Sequence, residues 1–124
     1  MSAVAVEPAL ATELWVSFVS LLRSYAAVTG LHGGESVDVS VAGNSVVFCS
    51  GLVECSMRVA RRTGVVSWNL REKGPEMAAG RFELLPDGRI QQDGLVQEMD
   101  SVAIDMVARV RDRAVALAGS EGRP

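Results

Sequence analysis

His32 is the only histidine of this 124-residue chain, so any histidine-based chemistry has to use it. It lies in the glycine-rich segment 31–36, where an accessible imidazole can act as an acid or a base. A nucleophilic site would also need an activated Ser or Cys, and the Gly-x-Ser-x-Gly motif does not occur. The sequence therefore predicts no catalytic residues, and His32 remains a candidate ligand-binding residue in a loop.

The two cysteines, Cys49 and Cys55, lie on strands that are predicted to be neighbours. The strand register derived below places Cys55 on the buried face of the sheet and Cys49 on the opposite face. The two sulfur atoms cannot then form a disulfide without disrupting the strand pairing. A zinc site needs three or four converging ligands, which one His and two separated Cys do not supply. We expect two free thiols, no metal site and no cofactor.

Two further groups of residues are candidates for ligand binding. Arg61 and Arg62 form a local basic pair in a predicted hairpin turn, where they can hold a carboxylate or a phosphate. Such a pair is more often simply hydrated. Trp68 and Tyr25 carry much of the aromatic area, because aromatic residues make up only 5% of the chain. Together with His32 they can line a pocket between a helix and the sheet.

Charge and hydropathy argue against two classes of partner. The chain has 12 basic and 15 acidic residues, a formal net charge of −3. Nucleic-acid-binding domains concentrate positive charge on one face, so we expect no nucleic-acid partner. The most apolar run, 14–22, is about half of the roughly twenty residues that span a bilayer. We expect no membrane contact and, without a recognisable export signal, a cytoplasmic location.

Helical periodicity is present towards both ends of the chain. Pro8 is suited to begin a helix and Gly30 to end it. The inward stripe predicted for this helix consists of Leu10, Leu14, Phe18, Leu21, Tyr25 and Val28, widened by Trp15 and Leu22. A second helix is predicted after Asp93-Gly94, with inward positions Leu95, Met99, Val102, Met106, Val110 and Leu117.

Between the helices the period changes to two, which is typical of half-buried strands. Two-residue turns at 43–44 and 51–52 and a four-residue turn at 61–64 define a register. On its buried face this register pairs Val41 with Val46, Val39 with Phe48, Phe48 with Cys55, Met57 with Trp68 and Cys55 with Leu70. A further hairpin is predicted from strands 81–85 and 89–92, whereas residues 72–79 are predicted to form a loop or a short helix.

These elements predict a single α+β domain over residues 1–124, with an N-terminal helix, an antiparallel meander of about six strands and a C-terminal helix. Six strands at about 4.8 Å span roughly 24–29 Å, which two helices about 10 Å wide nearly cover. We therefore expect both helices on one face of the sheet. Residues 1–7 and 119–124 are expected to be disordered tails.

The sheet face away from the predicted helices indicates a function. It carries small, weakly polar side chains, namely Ser40, Val47, Cys49, Ser56, Ser67 and Asn69. Such a face can pack against its own copy, and the edge strands offer a second route to a protein partner. The favoured hypothesis is a non-enzymatic protein-interaction module that forms a homodimer. The alternative is a small-molecule-binding protein or an enzyme with a pocket between the helices and the sheet.

Overall fold

The structure is a computed structural model that describes residues 7–31, 36–72 and 75–121. Its elements are α1 (Pro8–Leu31), β1 (Asp38–Ala42), β2 (Ser45–Ser50), β3 (Val53–Ala60), β4 (Val65–Glu72), β5 (Glu76–Leu84), β6 (Ile90–Gln92), β7 (Leu95–Gln97) and α2 (Met99–Glu121). The strands form one antiparallel sheet in chain order. The predicted α+β class, with a helix at each end of a meander, is confirmed. Of the predicted disordered tails, residues 1–6 and 122–124 lie outside the described residues, and residues 119–121 form the end of α2.

Both helices contact the same face of the sheet. Phe18 of α1 meets Phe82 of β5 edge to face, with the ring centroids 5.4 Å apart. On α2, the guanidinium of Arg109 lies 5.4 Å from the ring centroid of Trp68 in β4. Phe82 pairs with Val66, which precedes Trp68 by two residues, so these side chains share one face. The helices also contact each other and form a layer over that face.

The core lies between this helical layer and the sheet. Its strand residues alternate along the chain, as buried positions on a pleated strand must: Val46, Phe48, Val53, Cys55, Met57, Val59, Val66, Trp68, Leu70, Phe82, Leu84 and Ile90. The predicted pairings of Phe48 with Cys55 and of Met57 with Trp68 are confirmed. Because a one-residue slip would turn every side chain to the other face, the lengths of the turns are enough to define this core.

The buried stripe of α1 differs from the prediction by about one residue. The buried side chains are Ala11, Trp15, Phe18, Val19, Leu22 and Ala26. Leu14, Leu21 and Tyr25, predicted to face inward, are only partly buried at the margin of the core. Val28 is exposed. Apolar residues surround most of α1, so periodicity alone does not determine which sector faces the sheet.

The prediction for residues 93–97 is wrong. The sequence analysis places the start of a helix there, with Leu95 facing inward, whereas the structure has the edge strand β7 (Leu95–Gln97). The φ angles of Asp93 and Gly94 are 52° and 80°. Positive φ at both central residues is typical of a type I′ turn, which closes a two-residue hairpin. Leu95 is therefore on an edge strand and 65% exposed.

The prediction of a loop or a short helix is also wrong for residues 76–79, because β5 begins at Glu76. The pairing of β4 with β5 shifts register between Leu70 and Arg71. Further along, Gly80 pairs with Trp68, and the indole fills the space beside it. A Cβ atom added to Gly80 would lie 2.8 Å from Cζ2 of Trp68. The indole thus leaves room only for a glycine at this position. Because glycine is a weak strand former, β5 is not recognisable from strand propensity.

Candidate functional site

The predicted ligand-binding residues have different surroundings in the structure. Arg61 and Arg62 are exposed in the turn between β3 and β4. Tyr25 lies on α1, and its hydroxyl donates a hydrogen bond of 3.4 Å to Oδ2 of Asp100 at the start of α2. His32 lies outside the described residues. Of the Arg61, Arg62 and Tyr25 side chains, only that of Tyr25 has a hydrogen bond to another side chain within the described part of the chain.

Trp68, the fifth candidate, is part of the core. It is 7% exposed, and the guanidinium of Arg109 covers its ring in a cation–π arrangement. Its Nε1 atom is buried and has no hydrogen-bond partner within the described part of the chain. Trp68 thus offers a ligand little accessible surface, and its main contribution is to packing.

The two cysteines are free and occupy opposite faces of the sheet, as the register predicts. Burial raises the pKa of the Cys55 thiol to about 12. Partial burial, followed by the carboxylates of Asp38 and Glu54, raises the pKa of Cys49 above its usual value. Both sulfurs are therefore protonated at neutral pH, and neither is an activated nucleophile.

The face opposite the helices, which we call the open face, is not covered by any element among residues 7–31, 36–72 and 75–121. Five cross-strand neighbours cross its centre at right angles to the strands: Ser40, Val47, Ser56, Asn69 and Ala79. We call this row the central strip. All five side chains are uncharged, and none is longer than an asparagine. The middle of the open face is therefore neutral and low in relief.

Two rows with different charges flank the central strip. The acidic row consists of Asp38, Cys49, Glu54, Arg71 and Glu76. The basic row consists of Ala42, Ser45, Arg58, Ser67 and Arg81. The acidic row has three carboxylates against one guanidinium, and the basic row has two guanidinium groups and no carboxylate. Since neighbouring rows on one face are two residues apart, the charged rows are separated by roughly 13 Å.

Four residues of the central strip line a shallow concavity of about 400 Å³: Val47, Ser56, Asn69 and Ala79. Val47, Ser56 and Asn69 are half-buried there, although no described element lies above them. The Oδ1 atom of Asn69 is buried and has no hydrogen-bond partner among the residues that the structure describes. A buried acceptor without a donor is destabilising, so a molecule that supplies a donor at this point would relieve that cost.

The sequence predicts most of this face but not the contribution of β5 to it. Ser40, Val47, Ser56 and Asn69 are predicted correctly because the first four strands are correctly predicted. Glu76 and Ala79 lie in the segment predicted to be a loop or a short helix. The alternation of Arg81, Phe82, Glu83 and Leu84, extended backwards, is the signal that could have added β5 to the open face.

Three further observations bear on function. In the described ranges, no three side chains of His, Cys, Asp or Glu lie close enough together to hold a metal ion. Neither α1 nor α2, over their described residues, is long and apolar enough to cross a membrane. Comparison with protein-family models, with curated proteins and with solved structures found no match.

Proposed function

We propose that this protein is a non-enzymatic interaction module whose open face binds a second copy of the chain. The observation that carries the proposal is the central strip, a neutral row of small side chains across five neighbouring strands. Two sheets pack face to face at a spacing of about 10 Å. Short uncharged side chains permit that approach, whereas a centre of long charged side chains would oppose it.

The size and polarity of the open face support a reversible dimer. Five strands at about 4.8 Å and three rows about 7 Å apart give roughly 500 Å² per copy. Stable complexes typically bury about 800 Å² per partner, and transient ones bury less. Serine and asparagine side chains in the strip also match a non-obligate interface, because obligate interfaces are more apolar. We expect a dissociation constant of about 1–100 μM.

A second copy of the chain can supply the hydrogen-bond donor that Oδ1 of Asn69 lacks. Its Oδ1 atom is buried near the middle of the strip and finds no donor in the described part of its own chain. A second open face carries hydroxyl and amide donors at the same depth, on Ser56 and Asn69. Self-association therefore removes water from the strip and supplies the missing donor in one step.

Sedimentation velocity of the full chain over about 1–300 μM tests the proposal, since this range brackets the expected dissociation constant. The wild type is expected to change from monomer to dimer over this range. Ser56→Arg, which places a long cation in the central strip, is expected to stay monomeric. Ser24→Arg is the matched control, because Ser24 is exposed on α1; it is expected to dimerise like the wild type.

Two results would overturn this proposal. The first is a wild type that remains monomeric throughout the concentration range. The second is a dimer that Ser56→Arg leaves intact. The open face would then not be the interface, and the edge strands β1 and β7 would be the next candidates. Circular dichroism of each variant establishes that a change of mass is not caused by unfolding.

A further inference from the structure

The charges of the open face are segregated along the strand direction. The acidic row lies on one side of the central strip and the basic row on the other. Glu83 follows Arg81 on the same face, but it lies one row further from the strip. The rows that flank the strip therefore carry opposite net charge, and this polarity distinguishes the possible ways of stacking two copies.

Two identical sheets that stack face to face are related by a two-fold axis lying between them. If that axis is parallel to the strands, rotation preserves the strand direction. The acidic row of one copy then covers the acidic row of the other, and like charges meet. If the axis is parallel to the central strip, rotation reverses the strand direction. The acidic row of each copy then covers the basic row of the other.

Resting on the proposed function, we infer that the dimer axis is parallel to the central strip. In this arrangement β3 crosses its own copy at Ser56, so Glu54 lies over the partner's Arg58. Likewise β5 crosses its own copy at Ala79, so Glu76 lies over the partner's Arg81. The symmetry generates each pair twice. Opposite charges placed in this way select the orientation of an interface, since juxtaposed like charges are strongly unfavourable.

The same axis explains the orphaned acceptor. Every residue of the central strip then faces its own counterpart, so Asn69 faces the partner's Asn69. The side-chain amide nitrogen of one copy can donate to Oδ1 of the other, because an amide carries both donors and an acceptor. With the axis parallel to the strands, an asparagine pair forms only if the axis coincides with β4, and Arg71 then also faces the partner's Arg71.

Charge reversal within β3 tests the direction of the axis. Arg58→Glu and Glu54→Arg each place like charges over one another twice, so each is expected to raise the dissociation constant of the dimer at least about tenfold. The double variant Glu54→Arg/Arg58→Glu recreates opposite pairs in reversed order. It is expected to return to within about threefold of the wild type. The dissociation constants are measured by sedimentation velocity at about 50 mM NaCl, where screening is weak.

The outcomes separate this inference from the proposal on which it rests. If Ser56→Arg dissociates the dimer but Arg58→Glu tightens it, the open face is the interface and the axis is parallel to the strands. That result overturns the inference alone. An unchanged dissociation constant for Arg58→Glu, or a double variant as weak as the single ones, also overturns it. A monomeric wild type overturns both. Raising NaCl to about 500 mM should weaken the wild-type dimer and strengthen that of Arg58→Glu.

Discussion

The two faces of the sheet are made by the same strands but differ in the size of their side chains. In β4, Trp68 points into the core and packs with Arg109 and Gly80. Its neighbour Asn69 points to the open face and has no hydrogen-bond partner for Oδ1 among the described residues. One residue along the chain thus separates a large side chain packed in the core from a small polar side chain on the open face.

Stability and recognition therefore depend on different faces of the sheet. The covered face holds large apolar side chains whose burial stabilises the monomer. The open face holds small neutral residues between charged rows, an arrangement that contributes little to a monomer but determines what can pack against it. Substitutions on the covered face should therefore alter the free energy of unfolding, and those on the open face should alter association.

Trp68→Ala tests the covered face with the largest expected effect. Trp68 is 7% exposed, so removing the indole leaves a cavity in the core. We expect the free energy of unfolding to fall by about 3–5 kcal/mol, the usual range for emptying a large aromatic site. Urea unfolding followed by far-ultraviolet circular dichroism measures the change. A loss below about 1 kcal/mol would contradict the core assignment of this side chain.

Gly80→Ala tests the close approach between β5 and the same indole. The new Cβ would lie 2.8 Å from Cζ2 of Trp68, so the rigid ring must move. We expect a loss of about 1–3 kcal/mol, which is typical of overpacking. In the Trp68→Ala background the same change should cost almost nothing. A double-mutant cycle measures this coupling, and additive effects of the two substitutions would show that the ring does not confine Gly80.

Alkaline pH should weaken the covered face through Cys55. Burial raises the pKa of its thiol from 9.0 to about 12. Above pH 9 the unfolded chain releases this proton while the folded chain retains it, so stability is complete below pH 9 and declines as the pH rises. This one group should cost about 1.4 kcal/mol by pH 10. Cys55→Ala, which lacks the thiol, is the control. Between pH 8 and pH 10 its free energy of unfolding should fall by about 1.4 kcal/mol less than that of the wild type.

A labelling experiment provides the control for the cysteine prediction. At pH 8, a thiol reagent should modify the half-buried Cys49 and leave the buried Cys55 unmodified in the folded protein. Raising the protein concentration into the dimer range should slow the modification of Cys49, because its row is covered in the proposed dimer. Equal reaction rates for both thiols would contradict the assignment of the two faces.

Asn69→Ala should have the smallest effect on the monomer. Its Oδ1 atom has no partner to lose among the described residues, so the free energy of unfolding should change by less than about 0.5 kcal/mol. The dimer, in contrast, should weaken several-fold, because the proposed amide pair is removed. Unfolding at about 1 μM protein, at the low end of the expected dissociation constants, separates the two effects. A large loss of monomer stability would contradict the claim that Asn69 on β4 contributes to association and not to the stability of the monomer.

Local patterns in the sequence are sufficient for the first half of the sheet. Val46, Phe48 and Cys55 are buried because alternation and turn length agree at each hairpin. The same agreement places Ser56 and Asn69 on the open face. Local sequence patterns are therefore enough to predict the α+β class, the register of four strands, the separation of the two thiols and most of the central strip.

Three other features depend on long-range packing. The sector of α1 that faces the sheet depends on packing against Phe82 and α2, since the helix is apolar on several sides. The extent of β5 depends on the fit of Gly80 beside Trp68, and the start of α2 depends on a turn with positive φ at Asp93. Each is a choice between locally acceptable alternatives, and long-range contacts make that choice. Two of the six charged residues in the rows that flank the central strip, Glu76 and Arg81, lie on β5, so the complete charge pattern also depends on the folded molecule.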